Sequence, residues 1–321
     1  MAKIRDEFQA LLLSRPGRFL SGQEAAKKLS VSRAAVWKAA EALRAEGLPL
    51  EAVKGRGYRL AAKGDFLTEA ALQTLLPGAP VRVLQQVDST NREAKRWALD
   101  GAPHGAVVAA QSQSAGRGRM GRTFASPPGG LYMSVVLRPG PGKAGLSLLT
   151  AATAVAVCEA VQALCGKNLK IKWVNDLYYE NKKCCGILTE GVAGLESGDF
   201  EYLVAGVGIN YTTPATAFAQ EIRGRAASLY PQGEPAVSRA LLAADIHTRL
   251  LALFSLLPRA DFLAEYRRRN LVPGRRVRVL DTPAYEAQAL YIDDGARLVV
   301  RTQTGEEKVL LSGEVSVLLK G

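Results

Sequence analysis

The spacing of hydrophobic residues changes twice along this chain, and each pattern requires its own way of burying apolar side chains. Before residue 65 apolar residues recur at helical spacing, from Asp65 strand and helix patterns alternate, and after residue 270 short strands are separated by turn residues. At 321 residues the chain is also too long for one ordinary core. We therefore predict a helical unit at residues 1–64, an α/β (α+β) unit at 65–270 and a small closed β-barrel at 271–321.

The N-terminal segment predicts three short helices and a hairpin. Residues 3–14 have helical spacing, Ser21-Gly22-Gln23-Glu24 is a capping box for a second helix, and Ser32 can cap a third. The third helix has an apolar inward face: Val36, Ala39, Ala40 and Leu43. Residues 50–60 predict a hairpin whose tip is Lys54-Gly55-Arg56-Gly57. Two short helices joined by a tight turn, followed by such a hairpin, indicate a winged helix-turn-helix.

Positive charge is concentrated in the same segment. The net charge is +12, and residues 1–64 hold thirteen Lys and Arg against six Asp and Glu, an excess of +7. That concentration predicts contact with a polyanion. The alternative is a protein-interaction module with a solvated basic face, but the order of the elements and the basic tip favour DNA.

The predicted DNA contacts follow from how such a unit docks. The second helix of the motif enters the major groove, and basic residues on the wing contact phosphates. The predicted contacts are the outward residues of that helix and the basic residues of the wing: Ser32, Arg33, Ala35, Lys38, Lys54, Arg56 and Arg59. Trp37 is ambiguous in this pattern, and packing in the small core is the favoured interpretation.

Composition limits the chemistry and the location. The chain has four cysteines and two histidines without metal-ligand spacing, so we predict free thiols and chemistry that needs no histidine base. The most apolar stretch, Leu148–Cys165, contains Glu159 and several Thr and Gln residues, which argues against a membrane span and membrane contact. Acidic residues near the N-terminus do not fit a signal peptide, so we expect a cytoplasmic location.

A glycine- and arginine-rich segment is the most distinctive motif. Residues 116–121 match Gly-x-Gly-x-x-Gly, but Ser126-Pro127-Pro128-Gly129-Gly130 follows where a dinucleotide fold needs a helix. Arg117, Arg119 and Arg122 instead suit a mobile loop that holds phosphate or carboxylate oxygens. The alternative is a solvated basic surface loop.

Two further clusters lie where strands end. Asp88-Ser89-Thr90-Asn91 stands between a strand and a helix, and an ordinary helix cap is the alternative interpretation. Residues 170–176, Lys-Ile-Lys-Trp-Val-Asn-Asp, predict a strand and a turn, and a strand beginning at Lys183 returns. Lys183 is either a functional cation or an edge lysine that reaches solvent.

In this order the motifs resemble those of biotin–protein ligases. Asp88-Ser89-Thr90-Asn91, the Gly-Arg-Gly-Arg-x-Gly-Arg loop, Lys172-Trp173-x-Asn175-Asp176 and Lys183-x-x-Gly186-Ile187-Leu188 are followed by Gly206-Val207-Gly208-Ile209-Asn210. From end to end the chain is similar to the bacterial bifunctional form, the biotin operon repressors. It departs from the family pattern at Val174 (usually Pro), Met120 (commonly basic) and Phe124 (commonly Trp).

The resemblance implies an activity and a set of site residues. Such enzymes join biotin to ATP as biotinyl-5′-adenylate, with Mg²⁺ expected, and pass biotin to a lysine of a biotin carboxyl carrier protein. The implied biotin- and adenylate-binding residues are Ser89, Thr90, Asn91, Gln113, Arg117, Gly118, Arg119, Lys183, Gly186 and Asn210, and the implied catalytic residues are Lys183, Arg117, Arg119 and Asp176. The resemblance also implies an SH3-like C-terminal barrel, operator DNA as a partner, the adenylate as co-repressor and a homodimer when adenylate is bound.

Two other functions stay open at this stage. A lipoate–protein ligase would have the same broad fold, but the helix-turn-helix together with the arginine loop argues against it. A biotin-sensing repressor without catalysis is the second alternative. Retention of Arg117, Arg119, Asp176 and Lys183 argues against that interpretation.

Overall fold

The N-terminal unit has three helices and a hairpin. The computed structural model describes residues 2–13, 18–45, 48, 50–60, 65–140, 146–193, 200–257, 259–280, 283–311 and 315–317. The elements of the N-terminal unit are α1 (Ala2–Leu13), α2 (Gly22–Leu29), α3 (Arg33–Ala45), β1 (Leu50–Val53) and β2 (Gly57–Leu60). The boundary predicted at residue 64 lies outside the described residues.

Local hydrogen bonds explain where these helices begin and end. Ser21 Oγ accepts from the amide of Glu24 at 3.0 Å, and Ser32 Oγ accepts from the amide of Ala35 at 3.1 Å. Between the two helices Ser30 adopts a left-handed conformation (φ 53°) that ends α2. The predicted helix-turn-helix and its hairpin are therefore confirmed.

The predicted inward face of α3 is confirmed, but the predicted buried position of Trp37 is not. Val36, Ala39, Ala40 and Leu43 are all buried, whereas 55% of Trp37 is exposed. Successive residues of a helix are about 100° apart, so Trp37 lies beside the buried stripe and not on it. The prediction that Trp37 packs in the core is wrong.

The central unit is built on one mixed seven-stranded sheet, ordered β3-β4-β5-β9-β8-β7-β6. Only β3 and β4 pair in parallel; every other neighbouring pair of this order is antiparallel. Its elements are α4 (Glu69–Leu75), β3 (Val81–Leu84), α5 (Thr90–Leu99), β4 (Val107–Ala110), β5 (Gly130–Leu137), α6 (Leu146–Cys165), β6 (Lys170–Lys172), β7 (Asp176–Tyr179), β8 (Lys182–Ala193), β9 (Phe200–Asn210), α7 (Gln220–Arg223), α8 (Arg239–Ser255) and α9 (Leu263–Arg269).

The two faces of this sheet bury their side chains in different cores. Val107 of β4 belongs to the large core with α6 and α8, and the next residue, Val108, belongs to a smaller core with Ala94 and Ala98 of α5. Within the described residues α6 contains the one stretch apolar enough to cross a membrane, Leu148–Cys165, and 67% of it is buried inside the protein. Helix α6 is thus a core helix of the central unit. The short α5 leaves part of the second face to loops.

The C-terminal strands form a five-stranded antiparallel sheet, ordered β13-β12-β11-β10-β14. They are β10 (Arg276–Val279), β11 (Tyr285–Ile292), β12 (Leu298–Thr302), β13 (Glu307–Leu310) and β14 (Val315–Val317). Trp173 of the central unit donates its Nε1–H to the carbonyl of Ala296 at 3.0 Å, which ties this sheet to the central one. Barrel closure stays a prediction, because residues 312–314 and 318–321 lie outside the described part of the chain.

Candidate active site

A cleft opens on the part of the central sheet that α5 leaves uncovered. Its walls come from the N-terminus of α5, the glycine- and arginine-rich loop, the turn between β6 and β7, and strands β8 and β9, with Val315 of the C-terminal sheet at the rim. Segments far apart in sequence therefore meet in one place, because β5, β9 and β8 are neighbours in the sheet.

A hydrogen-bond network fixes the end of the cleft near α5. The amide of Thr90 donates to Gln113 Oε1 at 2.8 Å, and Gln113 Nε2 donates to Ser126 Oγ at 2.7 Å. Ser89 is the N-cap residue of α5, yet its hydroxyl makes no capping hydrogen bond, and it lines the cleft. The alternative of an ordinary helix cap therefore does not describe Ser89.

Asn91 is bonded to β8 and lies directly against Gly206 of β9. Its Nδ2 donates to the carbonyl of Leu188 at 3.0 Å and to Glu190 Oε2 at 2.8 Å. A Cβ at position 206 would overlap Asn91 Oδ1, so Gly206 is what allows the amide to approach the sheet. Both N–H groups of Asn91 are thus used within the protein.

Glu190 is a charged residue that sequence reasoning missed. Lys95 Nζ lies 2.7 Å from its Oε1, and Arg117 Nη1 lies 3.9 Å from the same oxygen. Burial raises the pKa of Glu190, but hydrogen bonds from Lys95 and Asn91 and the charges of Lys95 and Arg117 outweigh it, so the pKa lies below its usual value. No motif in the sequence marks Glu190.

Asp88 holds the turn that leads into α5. Arg96 donates to both of its carboxylate oxygens, at 2.9 and 3.2 Å, and the amide of Ser89 donates to Oδ1 at 2.7 Å. The hydrogen bond from Arg96 is the largest influence and lowers the pKa of Asp88 to about 2. Asp88 is thereby a fixed anion that orients Ser89 without itself lining the cleft.

Glycines form the floor of the cleft and carry an aromatic ring. A Cβ at Gly208 would lie 2.6 Å from Phe124 Cε1, and one at Gly186 would lie 3.0 Å from Phe124 Cε2. Phe124 also packs edge-on against Tyr132, with ring centroids 6.5 Å apart. A side chain at either glycine would displace the ring. The ring can therefore pack on the floor only because both positions lack a Cβ.

The backbone of the arginine-rich loop makes a tight reversal. Gly118 donates its amide to the carbonyl of Arg122 at 2.7 Å around a one-turn 3₁₀ helix at Arg119–Gly121. Met120 (φ 54°) and Gly121 (φ 74°) are both left-handed, a conformation that suits glycine better than methionine. No helix follows this loop; the next regular element is β5. The rejection of a dinucleotide fingerprint on this ground was correct.

Two arginines of the loop reach different walls of the cleft. Arg119 Nη1 donates to Asn175 Oδ1 in the β6–β7 turn at 3.4 Å, and Arg117 faces Glu190 of β8. Asn175 is itself fixed, since its Nδ2 donates to the carbonyl of Ile187 at 2.7 Å. The loop therefore places guanidinium groups on two sides of the opening.

Lys183 and Asp176 form a short ion pair inside the cleft. Lys183 Nζ lies 2.6 Å from Asp176 Oδ1, and the side chains are 35% and 24% exposed. Lys183 Nζ also lies 6.0 Å from the centre of the Phe124 ring. This position does not fit an edge lysine extended into solvent. The pair sets an ammonium group over the glycine floor.

Comparison with known proteins agrees with this arrangement. Residues 83–210 match the model of the biotin/lipoate A/B protein ligase family, and residues 5–59 match that of an HTH domain. The chain is 34% identical over 317 residues to the bifunctional ligase/repressor BirA of Bacillus spizizenii, covering 95% of this chain and 96% of that protein. It belongs to the biotin/lipoate A/B protein ligase family. The motif resemblance to bifunctional ligases and repressors is thereby confirmed.

Two further relatives extend the likeness to this family. The BirA protein of Salmonella typhimurium is 29% identical over 94% of both chains. A solved biotin protein ligase from Aquifex aeolicus, in complex with biotin and ATP, superposes with a TM-score of 0.64 at 27% identity. The superposition covers 75% of this chain and 99% of the Aquifex aeolicus chain.

The structure brings most of the residues predicted from the family resemblance together. The cleft is lined by nearly all of them: Ser89, Thr90, Asn91, Gln113, Arg117, Gly118, Arg119, Asp176, Lys183 and Gly186. Asn210 is the exception, since it is outside this lining and donates its Nδ2 to the carbonyl of Ala227 at 3.2 Å. Lining residues that the prediction did not assign include Lys172, Asn175 and Phe124, although all three stood in the quoted motifs or their departures.

Other chemistry predicted from composition can be located as well. All four cysteines are free thiols, as predicted. Neither His104 nor His247 lines the cleft; His247 is buried against the carbonyl of Gly105. Among the described residues, no three His, Cys, Asp or Glu side chains are grouped to hold a metal ion.

The predicted DNA-facing residues lie on the surface of the N-terminal unit. Ser32, Arg33, Lys38, Lys54 and Arg56 are exposed, and Ala35 is half-buried. The two wing arginines differ in their surroundings. The guanidinium of Arg56 lies 4.1 Å from the centre of the Phe19 ring, whereas Arg59 Nε donates to Glu51 Oε2 at 2.8 Å.

Proposed function

We propose that this protein is an ATP-dependent biotin–protein ligase that also represses transcription in response to biotin. The observation that carries the proposal is the convergence of Lys183, Asp176 and two loop arginines over one cleft, in a family member with an N-terminal HTH domain. Relatives named as bifunctional ligase/repressors support the same pairing of activities.

The first step is adenylation. A biotin carboxylate oxygen attacks the α-phosphorus of ATP, the bond to the bridging oxygen breaks, and pyrophosphate leaves with biotinyl-5′-adenylate formed. No group has to remove a proton, so the protein's task is to orient two anions and to stabilise the charge that develops between them. Cations at the reacting centre meet that need.

Lys183 is the cation we assign to the reacting phosphate. Its ammonium is paired with Asp176, so binding of ATP would exchange one anionic partner for another. Arg117 and Arg119 would close over the phosphate and carboxylate oxygens with paired hydrogen bonds. A mobile loop permits this, because it orders around ligand and excludes water.

The opposite end of the cleft suits the neutral part of biotin. Its ureido ring needs both donors and acceptors, which Ser89, Thr90 and Gln113 present beside the α5 N-terminus. The aliphatic chain can lie beside Gly186, against the Phe124 ring that the floor carries. Asn91 acts chiefly as a positioning residue here, since its N–H groups are already used. We place Asn210 behind the cleft, next to the segment at Ala227.

Mg²⁺ fits the site as a companion of ATP. It prefers oxygen ligands and often uses only one or two carboxylates together with substrate phosphates. Asp176 is the carboxylate at the reacting end of the cleft, and release from Lys183 would free it to hold the ion. The ion would neutralise charge on the phosphates.

The second step transfers biotin to the carrier. The ε-amine of a lysine on a biotin carboxyl carrier protein attacks the acyl carbon of the adenylate, and AMP leaves as an amide bond forms. The attacking ammonium must first lose one proton to solvent, and the nitrogen loses a second proton to solvent as the amide forms. Asp176 lines the cleft beside Lys183, where it can orient that amine once Lys183 is bound to phosphate.

The repressor activity is assigned to the N-terminal unit. We propose that it binds operator DNA through α3 and the hairpin tip, that the adenylate acts as co-repressor, and that the adenylate-bound protein is a homodimer. We also propose a cytoplasmic location and an SH3-like C-terminal barrel, whose Val315 reaches the cleft rim.

One assay separates this function from its alternatives. The full-length protein is incubated with ATP, Mg²⁺ and either biotin or lipoate, and release of pyrophosphate is measured. We expect release with biotin and little with lipoate. Preference for lipoate would make the chain a lipoate–protein ligase, and release with neither acid would leave a biotin-sensing repressor.

A further inference from the structure

The recognition helix α3 exposes a large aromatic side chain. Trp37 is 55% exposed, although its neighbour Val36 is fully buried. A tryptophan gains considerable stability from burial, and alanine would be the better helix former at an exposed position. The side chain therefore adds little to the fold of the N-terminal unit and is available for a contact with a partner.

The residues around Trp37 indicate what it contacts. Arg33 lies one turn earlier on the same face, and Lys38 follows directly; both are exposed, as is Ala34. The face thus combines two cations with two apolar side chains. A second copy of this chain would bring the same positive charges to the contact, whereas DNA brings negative charge.

We propose that Trp37 contacts base edges in the major groove and contributes to sequence specificity. This inference rests on the proposed DNA-binding function. Apolar side chains in the major groove recognise the methyl group of thymine, while Arg and Lys contacts to phosphates carry no sequence information. Trp37 is neutral and displaces no counterion, so its contribution falls on specific binding and leaves the salt dependence unchanged.

Two duplexes provide the test. The first is a duplex that the full-length wild-type protein selects from a random-sequence library in the presence of biotin, ATP and Mg²⁺, and the second is an unrelated duplex of the same length. We expect Trp37→Ala to weaken binding to the selected duplex about tenfold or more and to change binding to the unrelated duplex by less than about twofold. The dependence of affinity on salt should stay as in the wild type.

A matched control comes from another exposed apolar residue. Leu99 is 70% exposed at the end of α5 in the central unit. Leu99→Ala should bind both duplexes like the wild type. Thermal unfolding of Trp37→Ala should also match the wild type, since the side chain is largely outside the core.

Fluorescence gives a second, independent signal. The chain has three tryptophans; Trp173 is 3% exposed, and Trp97 is half-buried with the Arg82 guanidinium 4.0 Å above its ring. Trp37 should therefore supply the solvent-exposed emission. The selected duplex should quench that emission in the wild type and not in Trp37→Phe, which should bind with intermediate affinity because it keeps an apolar ring.

The outcomes separate this inference from the function on which it rests. If the wild type selects a duplex and Trp37→Ala binds it as tightly, the assignment of Trp37 is wrong while DNA binding stands. Equal losses on both duplexes, or a changed sedimentation mass of the free variant, would make Trp37 a folding or self-association residue. If the wild type selects no duplex, the repressor function and this inference both fail.

Discussion

The two binding surfaces of this molecule are assembled in opposite ways. The side chains that we propose contact DNA come from one stretch of chain, α3 and the hairpin, and most of them are exposed. Apart from Val315, the cleft side chains come from segments between residues 89 and 208, and polar pairs among them and with Glu190 lie 2.6 to 3.9 Å apart. Substitutions at residues in contact have coupled effects on the free energy, whereas the effects of substitutions at distant residues are additive. Variants should therefore have large, coupled effects in the cleft and small, additive effects on the surface.

The largest effect is expected at Lys183. Lys183→Met removes the ammonium that we place at the reacting phosphate and leaves Asp176 without its partner, so adenylation should slow by roughly two orders of magnitude or more. Single-turnover adenylation measures this. Lys182→Met, at the exposed neighbouring lysine of the same strand, serves as the control and should be close to the wild type. Near-normal adenylation by Lys183→Met would contradict the assignment.

A smaller but still large effect is expected at Arg119. Arg119→Gly removes paired hydrogen bonds to the adenylate, each charge-assisted, so the adenylate should escape about tenfold faster or more. Free adenylate would then label lysines of unrelated proteins, which mass spectrometry of added albumin detects. Arg119→Lys keeps the charge but not the paired donors and should be intermediate. Normal retention in Arg119→Gly would show that the loop does not close over the adenylate.

On the DNA-facing surface the effects should be modest and additive. Arg33→Ala and Lys38→Ala each remove one cation, so each should weaken duplex binding a few-fold, lower the salt dependence by about one ion, and add in the double variant. Gel-shift titrations at several salt concentrations measure this. If the double variant lost much more binding free energy than the two single variants together, the residues of this surface would be coupled like those of the cleft.

The smallest effect concerns the anion beside the cleft. Asp88 has a lowered pKa, so its ion pairs stabilise the fold above the usual carboxyl pKa of 3.8 and stop doing so as pH falls to about 2. Because the side chain is 32% exposed, Asp88→Asn should cost only about 1 kcal/mol. Urea unfolding should show that difference at pH 7 and a smaller one below about pH 4. A difference that persists unchanged in acid would exclude this charge as the cause.

The sequence predicted best those features that depend on local spacing. Capping serines and apolar periodicity located α2, α3 and the hairpin, and Val36, Ala39 and Leu43 are buried as predicted. The prediction for Trp37 was wrong because hydrophobic periodicity identifies the buried face of a helix. It does not show whether a residue at the edge of that face is buried or exposed. The exposed position follows from how α3 packs against α1 and α2.

Features that depend on strand pairing were less accessible. Motif order indicated which segments form the site, but the position of β9 between β5 and β8 comes from non-local pairing. For that reason Glu190 of β8, which contacts Asn91 of α5 only in the folded protein, was missed. The same limit explains why Asn210 was assigned to the site. It belongs to the last of the site motifs, at the end of β9, but its side chain donates to the carbonyl of Ala227 and is not part of the cleft lining.

The most direct test of two separate activities in one chain is carrier biotinylation by the wild type and by the Arg33→Ala/Lys38→Ala double variant. Each protein is incubated with ATP, Mg²⁺, biotin and a biotin carboxyl carrier protein, and the mass of the carrier is measured over time. We expect one biotin to be added to a carrier lysine, at rates that agree within about twofold, while only the wild type retains full duplex affinity. No labelled carrier with the wild type would contradict the ligase assignment, and loss of labelling in the double variant would contradict the separation of the two surfaces.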